Sequence, residues 1–324
     1  MQNNSLIIHA YQVSPDGRAE IATENAAAIF QGQGWQWIHI DGHHDGAEAW
    51  LEQAGVGLDS VSIDAMLAEE TRPRMLEFDD ATMLILRGVN LNENSSPEDM
   101  VSIRLWIKDS LVISVRRRPL KAVADIRQRF ETGKGPKTVG EFVVLLTSRL
   151  FERMEPVLAA LDEELDTLEA SVIESPDIKL RNHITALRKQ TIIFRRYIAP
   201  QKDVIMRLGM IDFFWLATNE KRRLIEVQDR VVRYMEDLDA VRERAQIVKD
   251  ELSNTFADRM NRNMYLLSII TTIFLPLGFL TGLLGINVGG MPGAASDVAF
   301  WLVVVICVLF GLGVAGILKL LRWF

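Results

Sequence analysis

Two long uncharged runs near the C-terminal end restrict this chain more than any other feature. The first opens residues 264–290, MYLLSIITTIFLPLGFLTGLLGINVGG, and its first 21 residues carry no charge. At about 1.5 Å per residue, such a helix reaches about 30 Å, one hydrocarbon thickness. A second uncharged run of 21 residues covers 298–318. The pair predicts a water-soluble body followed by a two-span membrane hairpin. That places the chain's work at or across a bilayer.

The charges follow the same division. Every acidic residue but Asp297, and every basic residue but Lys319 and Arg322, precedes Met264. The soluble part is mixed in charge and net acidic, without the basic stripe that a nucleic-acid partner would require. The single cysteine, Cys307, falls in the second run, which excludes a disulfide framework and a thiolate metal cluster. The opening MQNNSLIIHAYQV has no basic region and no long apolar core, so no signal peptide is expected. Arg259 and Arg262 precede the first span, Lys319 and Arg322 follow the second, and the connector 285–297 has neither Lys nor Arg. The excess of positive charge on cytoplasmic flanks then predicts both termini inside and the connector outside.

Residues 1–137 read as a mixed α/β domain. Strands are expected at 6–13, 35–40, 82–89, 101–107 and 111–116, which are rich in β-branched and aromatic residues. Lys108-Asp109-Ser110 forms a short hairpin connection between the last two, and helices are expected at 47–54, 58–69 and 120–131. Gly133-Lys134-Gly135-Pro136 ends the domain as a linker. Thr138-Val139-Gly140-Glu141 then fits a capping box opening a long helix. Its apolar positions Val143, Leu146, Leu150, Met154, Val157, Leu161, Leu165, Leu168 and Val172 follow a 3-4-4 spacing, which lets the helix run nearly straight. Ser175-Pro176-Asp177 reads as N-cap, first-turn proline and first-turn acid of a second helix with Leu180, Ile184, Leu187, Thr191, Phe194 and Ile198 in heptad spacing. Residues 138–208 thus predict an antiparallel long-helix pair.

A third helix is expected from near Asn219. Leu224, Val231, Leu238, Ala245 and Leu252 recur every seven residues, with Val227, Tyr234, Val241 and Val248 between them. No Gly or Pro interrupts residues 219–275, so the simplest reading is one helix running from stalk through first span to residue 284, about 100 Å long. Residues 285–297 follow as an external loop, 298–318 as the second span and 319–324 as a cytoplasmic tail.

One two-span subunit cannot enclose an aqueous path, so an ion pathway requires a ring of subunits, each contributing one helix. The first span suits the lining better. An eleven-residue stepping gives the stripe Asp250, Ser253, Ala257, Asn261, Met264, Ser268, Thr272, Leu275, Phe279 and Gly282, mostly small or polar. Leu266, Ile269, Ile270, Ile273 and Phe274 face elsewhere. Plain helix–helix packing explains such a stripe equally well, and Ser and Thr can bond back to their own helix. The second span offers aliphatics, glycines, Trp301 and Cys307, which suit lipid and packing. Beyond the first span stands Gly285-Ile286-Asn287, and a ring of Asn287 carbonyls would suit a hydrated divalent cation held weakly enough to leave.

A proline in the first span, GxN at its outer end, a short loop and one further span together resemble the CorA family of divalent-cation channels. Gly-Ile-Asn in place of the usual Gly-Met-Asn is similar to the ZntB-type zinc transporter branch. So are TRPR at Thr71, Arg72, Pro73 and Arg74, LRKQ at 187–190, RRYIAPQKDV at 195–204 and FLTGLLGINVGGMPG at 279–293. The resemblance implies a homopentameric cytoplasmic funnel with an α/β/α N-terminal domain, in the bacterial inner membrane and in contact with its lipid. It implies Asn287 as an external ion-capturing ring, and Gly278, Leu275, Met264 and Asn261 where the pore narrows. Asp250 falls where magnesium members place a cytosolic metal-sensing acid. The implied cargo is Zn2+, with Mg2+, Co2+, Ni2+ and Cd2+ as alternatives. Coupling to protons and direction of transport stay open, and no cofactor is implied.

Other residues draw less. His43-His44-Asp45 reads as a surface loop rather than a zinc site, and His9, His39 and His183 as structural. Asp162, Glu163, Glu164, Asp166 and Glu169 read as a solvated acidic face, with cation gathering as the minority alternative. Arg116-Arg117-Arg118 reads as a surface edge rather than a phosphate site, and Cys307 as packing. Against an enzyme, there is no glycine-rich phosphate loop and no nucleophile elbow. The remaining rivals are a magnesium or cobalt channel on the same architecture and a membrane-anchored coiled-coil scaffold.

Overall fold

The computed structural model describes residues 5–21, 34–54, 56–286, 293 and 296–320. It divides into two compact units, Met1–Asp250 and Glu251–Phe324. The first is built on strands β1 (Ile7–Val13), β2 (Ala19–Ile21) and β3 (Trp35–Asp41), helices α1 (Ala47–Gln53) and α2 (Ser60–Leu67), strands β4 (Arg74–Glu77), β5 (Ala81–Gly88), β6 (Val101–Lys108) and β7 (Leu111–Arg116), and helix α3 (Lys121–Glu131). The seven strands form one sheet in the order β2-β1-β3-β7-β6-β5-β4. Only β3 and β7 pair in parallel; every other neighbour is antiparallel.

The period-2 alternation of side chains divides the strands between two cores. Trp35 and Trp37 of β3, Leu84 and Leu86 of β5, and Ile103, Leu105 and Ile107 of β6 point into one cluster with Phe130 of α3. Ile38 and Ile40, Met83, Trp106, Ile113 and Val115 point into the other with Leu51 of α1 and Met66 of α2. The sheet is therefore the middle layer of an α/β/α sandwich. The turn Asp109-Ser110 joins β6 to β7, with Asp109 at φ 51°, a left-handed conformation that Asp tolerates. Two short edge strands, β2 and β4, fall outside the expected set. Their three and four residues are mostly exposed and include charges, so neither shows an alternating apolar pattern.

Four helices extend the first cluster. They are α4 (Val139–Glu152), α5 (Glu155–Glu174), α6 (Leu180–Met210) and α7 (Thr218–Leu284). Thr138 caps α4, its hydroxyl oxygen accepting from the Glu141 amide at 3.0 Å. Glu141 Oε2 accepts from the Lys137 amide at 2.8 Å, one residue earlier than a capping box would have it.

The expected straight helix from 138 to 172 is two helices. Pro156 has no N–H to give to the Glu152 carbonyl, and its ring crowds that oxygen, so α4 ends at Glu152 and α5 restarts with proline in its first turn. Arg153, at the break, reaches back to α3 and donates to Asp125 through Nε at 2.6 Å and Nη2 at 2.5 Å. The start of α6 also differs. It begins at Leu180 with Lys179 at the N-cap and no side-chain cap; Asp177 accepts from the Lys179 amide at 2.9 Å in the turn before it, and Ser175 is the C-cap of α5.

The seam of α7 packs within its own chain. Leu224, Val227, Val231, Tyr234 and Leu238 are buried in the cluster that holds Leu158 and Leu161 of α5 and Phe194 and Ile198 of α6. Val241, Ala245 and Val248 continue it, each buried. The acidic face of α5 is not simply solvated, because Arg244 of α7 clamps three of its carboxylates. Nη1 lies 2.9 Å from Asp162, and Nη2 lies 2.6 Å from Asp166 and 2.8 Å from Glu169. These charge-assisted bonds hold the Arg244 pKa above its usual value. His43 sits in the turn before α1, its amide bonded to Asp41 Oδ1 at 2.9 Å, while His44 Nδ1 accepts from Gly46 N at 3.0 Å.

The second unit holds the distal part of α7 and helix α8 (Ala299–Leu320). Both helices are long and apolar enough to cross a membrane, and their apolar segments are almost wholly exposed in the single chain.

Candidate functional site

The sequence-predicted residues from Asp250 to Gly278 lie on one unbroken helix. At 3.6 residues per turn, successive side chains turn by about 100°. On that wheel Asp250, Ser253, Asn261, Met264, Ser268, Thr272, Leu275 and Gly278 share one sector of roughly a third of the circumference. All of them are exposed. A second sector, roughly 130° away, carries Tyr265, Ile269, Ile273, Leu277 and Leu280, and these are the span residues of α7 that are buried or half-buried. In α8 the half-buried positions Ala299, Val303, Val304, Cys307, Gly311 and Val314, with buried Leu318, form a matching stripe. Burial in this unit is thus confined to one side of α7. The small and polar sector is left open, and a Cβ placed on Gly278 or Gly282 would meet nothing within 4 Å.

The polar groups of that sector are locally organised. Thr272 Oγ1 donates to the Ser268 carbonyl at 2.8 Å, and Thr271 Oγ1 donates to Leu267 at 2.8 Å. Each hydroxyl thereby commits its proton to the helix and turns its oxygen lone pairs outward as an acceptor. Pro276 lies inside α7 and supplies no N–H to the Thr272 carbonyl. Thr272 thus contributes two oxygens at one level. Thr271, passed over by the eleven-residue stepping, lies at the margin of the same sector. Its position beside Thr272 was the available signal.

At the other end, Asp250 is exposed, and Gln246 Nε2 donates to its Oδ1 at 2.8 Å. Among the described residues, no three His, Cys, Asp or Glu side chains come together as a metal-ligand group. Gly285 and Ile286 turn the chain out of α7, the Gly285 amide bonding the Gly282 carbonyl at 3.2 Å. Asn287, the third member of the motif, lies outside the described residues.

Comparison with known proteins is consistent along the chain. A family described as CorA-like Mg2+ transporter protein matches residues 32–320. The divalent cation transporter CmaX of Pseudomonas aeruginosa is 42% identical over 296 residues, 89% of this chain and 87% of that one. The zinc transport protein ZntB of Yersinia enterocolitica is 34% identical over 316 residues, 98% of this chain and 95% of that one. The solved structure of full-length CmaX superposes with a TM-score of 0.84 at 37% identity, covering 98% of each chain. A mixed sheet, one very long helix and a pair of apolar helices, matched over this length, establish that the chain belongs to the CorA family of transporters, in its ZntB-type branch.

Proposed function

We propose that copies of this chain assemble into a ring, five by the family resemblance, in which the open sector of α7 lines a path for hydrated divalent cations across the bacterial inner membrane. The observation that carries this reading is that burial stops on one side of α7, leaving the polar and small residues uncovered. A hydrocarbon environment would make that arrangement costly unless the sector met other copies or water. In the ring, Ser268, Thr272 and the Thr272 carbonyl would offer neutral oxygens to a hydrated ion, Leu275 and Met264 would form apolar constrictions, and Gly278 would give clearance. Asn287 would capture ions at the outer mouth beside Gly285 and Ile286. Asp250 would face its symmetry mates at the inner end. Arg259, Arg262 and Lys319 support a cytoplasmic placement of both termini.

Zinc is the proposed cargo. It rests on Ile286 in the motif and on the name of a relative similar over 98% of this chain. Magnesium or cobalt is the second reading, favoured by the family description. Zinc flux into proteoliposomes, compared with magnesium and with and without a pH gradient, tests both. Zinc uptake above magnesium is expected, with a large loss in Asn287→Ala and an unchanged assembly. Absence of zinc flux under either condition would refute the zinc reading.

A further inference from the structure

At one end of the sheet of the first unit lies a cavity of about 390 Å³. It opens where parallel strands β3 and β7 end, the position at which α/β sheets commonly bind ligands. Arg117 and Arg118 follow β7, Arg87 is the penultimate residue of β5, and Arg196 and Tyr197 come from α6. Glu69, Glu70, Glu98 and Asp99 stand elsewhere on the wall.

Arg87 and Arg117 are held by neutral groups, while Arg118 and Arg196 are exposed. Arg87 donates through Nε to the Thr71 carbonyl and through Nη1 to the Met100 carbonyl, each at 2.8 Å, and its guanidinium lies 4.2 Å from the Tyr197 ring centre. Arg117 Nη1 donates to the Leu67 carbonyl at 2.7 Å. Among the described residues, no carboxylate lies within ion-pair distance of Arg87, Arg117, Arg118 or Arg196. Arg104 of β6 is fully buried nearby, with one bond to the Ala68 carbonyl and its Nε and Nη1 unpartnered. Burial, then repulsion by Arg117 and Arg87, lowers its pKa to about 10. The backbone here is fixed as well, since Gln201 Oε1 of α6 accepts from the Arg87 amide at 2.8 Å.

Four guanidiniums and four carboxylates thus line one cavity without pairing across it, which leaves donors and acceptors for a ligand that carries both an anionic group and hydroxyl or amino groups. We propose that this cavity binds a small phosphorylated organic ligand, with its phosphate on Arg117, Arg118 and Arg196 and its hydroxyl or amino groups facing Glu69, Glu70, Glu98 and Asp99. The volume falls in the range of small-molecule sites and is too small for a macromolecule. Arg117 and Arg118, part of a surface edge by sequence, are on this account half of a phosphate site.

Calorimetric titration of the detergent-solubilised full chain with inorganic phosphate and with ribose 5-phosphate, free of divalent metal, tests this. Both are expected to compete for one site per chain, with the sugar phosphate binding more tightly. Arg118→Gln and Arg196→Gln, whose folding is checked by an unchanged melting temperature, should each weaken binding by about tenfold or more, the loss of a charge-assisted bond. The proposal fails if neither probe binds saturably at millimolar concentration, if the sugar adds nothing to inorganic phosphate, or if both variants bind like wild type.

Discussion

His9 and His39 stack with ring centres 5.9 Å apart. His39 is fully buried, and burial, followed by the nearby Arg116 charge, holds its pKa well below the usual value. Its Nδ1 lies 2.7 Å from Ser114 Oγ, which also accepts from Trp37 Nε1 at 2.7 Å. For His9, burial and then Arg127 lower the pKa to about 4. In the unfolded chain both rings take up protons near pH 6.5, so the unfolded state binds more protons between there and the folded values. The stability due to their neutrality is therefore complete above that pH and is lost as pH falls toward about 4. Melting followed by tryptophan fluorescence should show a lower transition temperature at pH 5 than at pH 7, and His9→Gln should narrow the gap. An undiminished gap in the variant would refute the assignment. The structural reading of these two isolated histidines was available from sequence, but their mutual contact was not, because register between β1 and β3 decides it.

Among the elements, α7 is the most legible and α4–α5 the least. Heptad spacing alone gives α7 its seam, because a seven-residue repeat without Gly or Pro has few alternatives. It does not say what covers the seam, and α5 and α6 do so within the same chain. The break before α5 was hidden because Pro156 suits a first turn as well as it ends a helix. The Arg244 clamp was hidden because its partners lie 75 to 82 residues away. The joint between α4 and the start of α7 is equally long-range. Glu220, buried, accepts from Thr138 Oγ1 at 2.6 Å and from the Ala217 amide at 2.7 Å. A Cβ on Gly140 would come within 1.9 Å of its Oε2 and 2.7 Å of the Trp215 carbonyl. Gly140→Ala is expected to cost about 1–3 kcal/mol through overpacking, read as a lowered melting temperature. An unchanged transition would mean that the joint is looser than these distances imply.

For the whole molecule, the sequence reveals the division into an α/β domain, long helices and two apolar spans, because composition changes sharply at Met264. Strand order is not legible, since the parallel pairing of β3 with β7 depends on contacts more than 70 residues apart. The candidate pathway is legible as a stripe on one helix. Its closure is not, because the partners that would cover the open sector are further copies of the same residues. Cysteine scanning along α7, in a Cys307→Ala background reconstituted into proteoliposomes, tests the central claim most directly. A membrane-impermeant thiol reagent should block zinc flux when cysteine replaces Met264, Ser268, Thr272 or Leu275, and should leave flux intact at Leu266, Ile270 and Phe274. Block without that helical periodicity, or block at the second set alone, would contradict a pathway lined by this face.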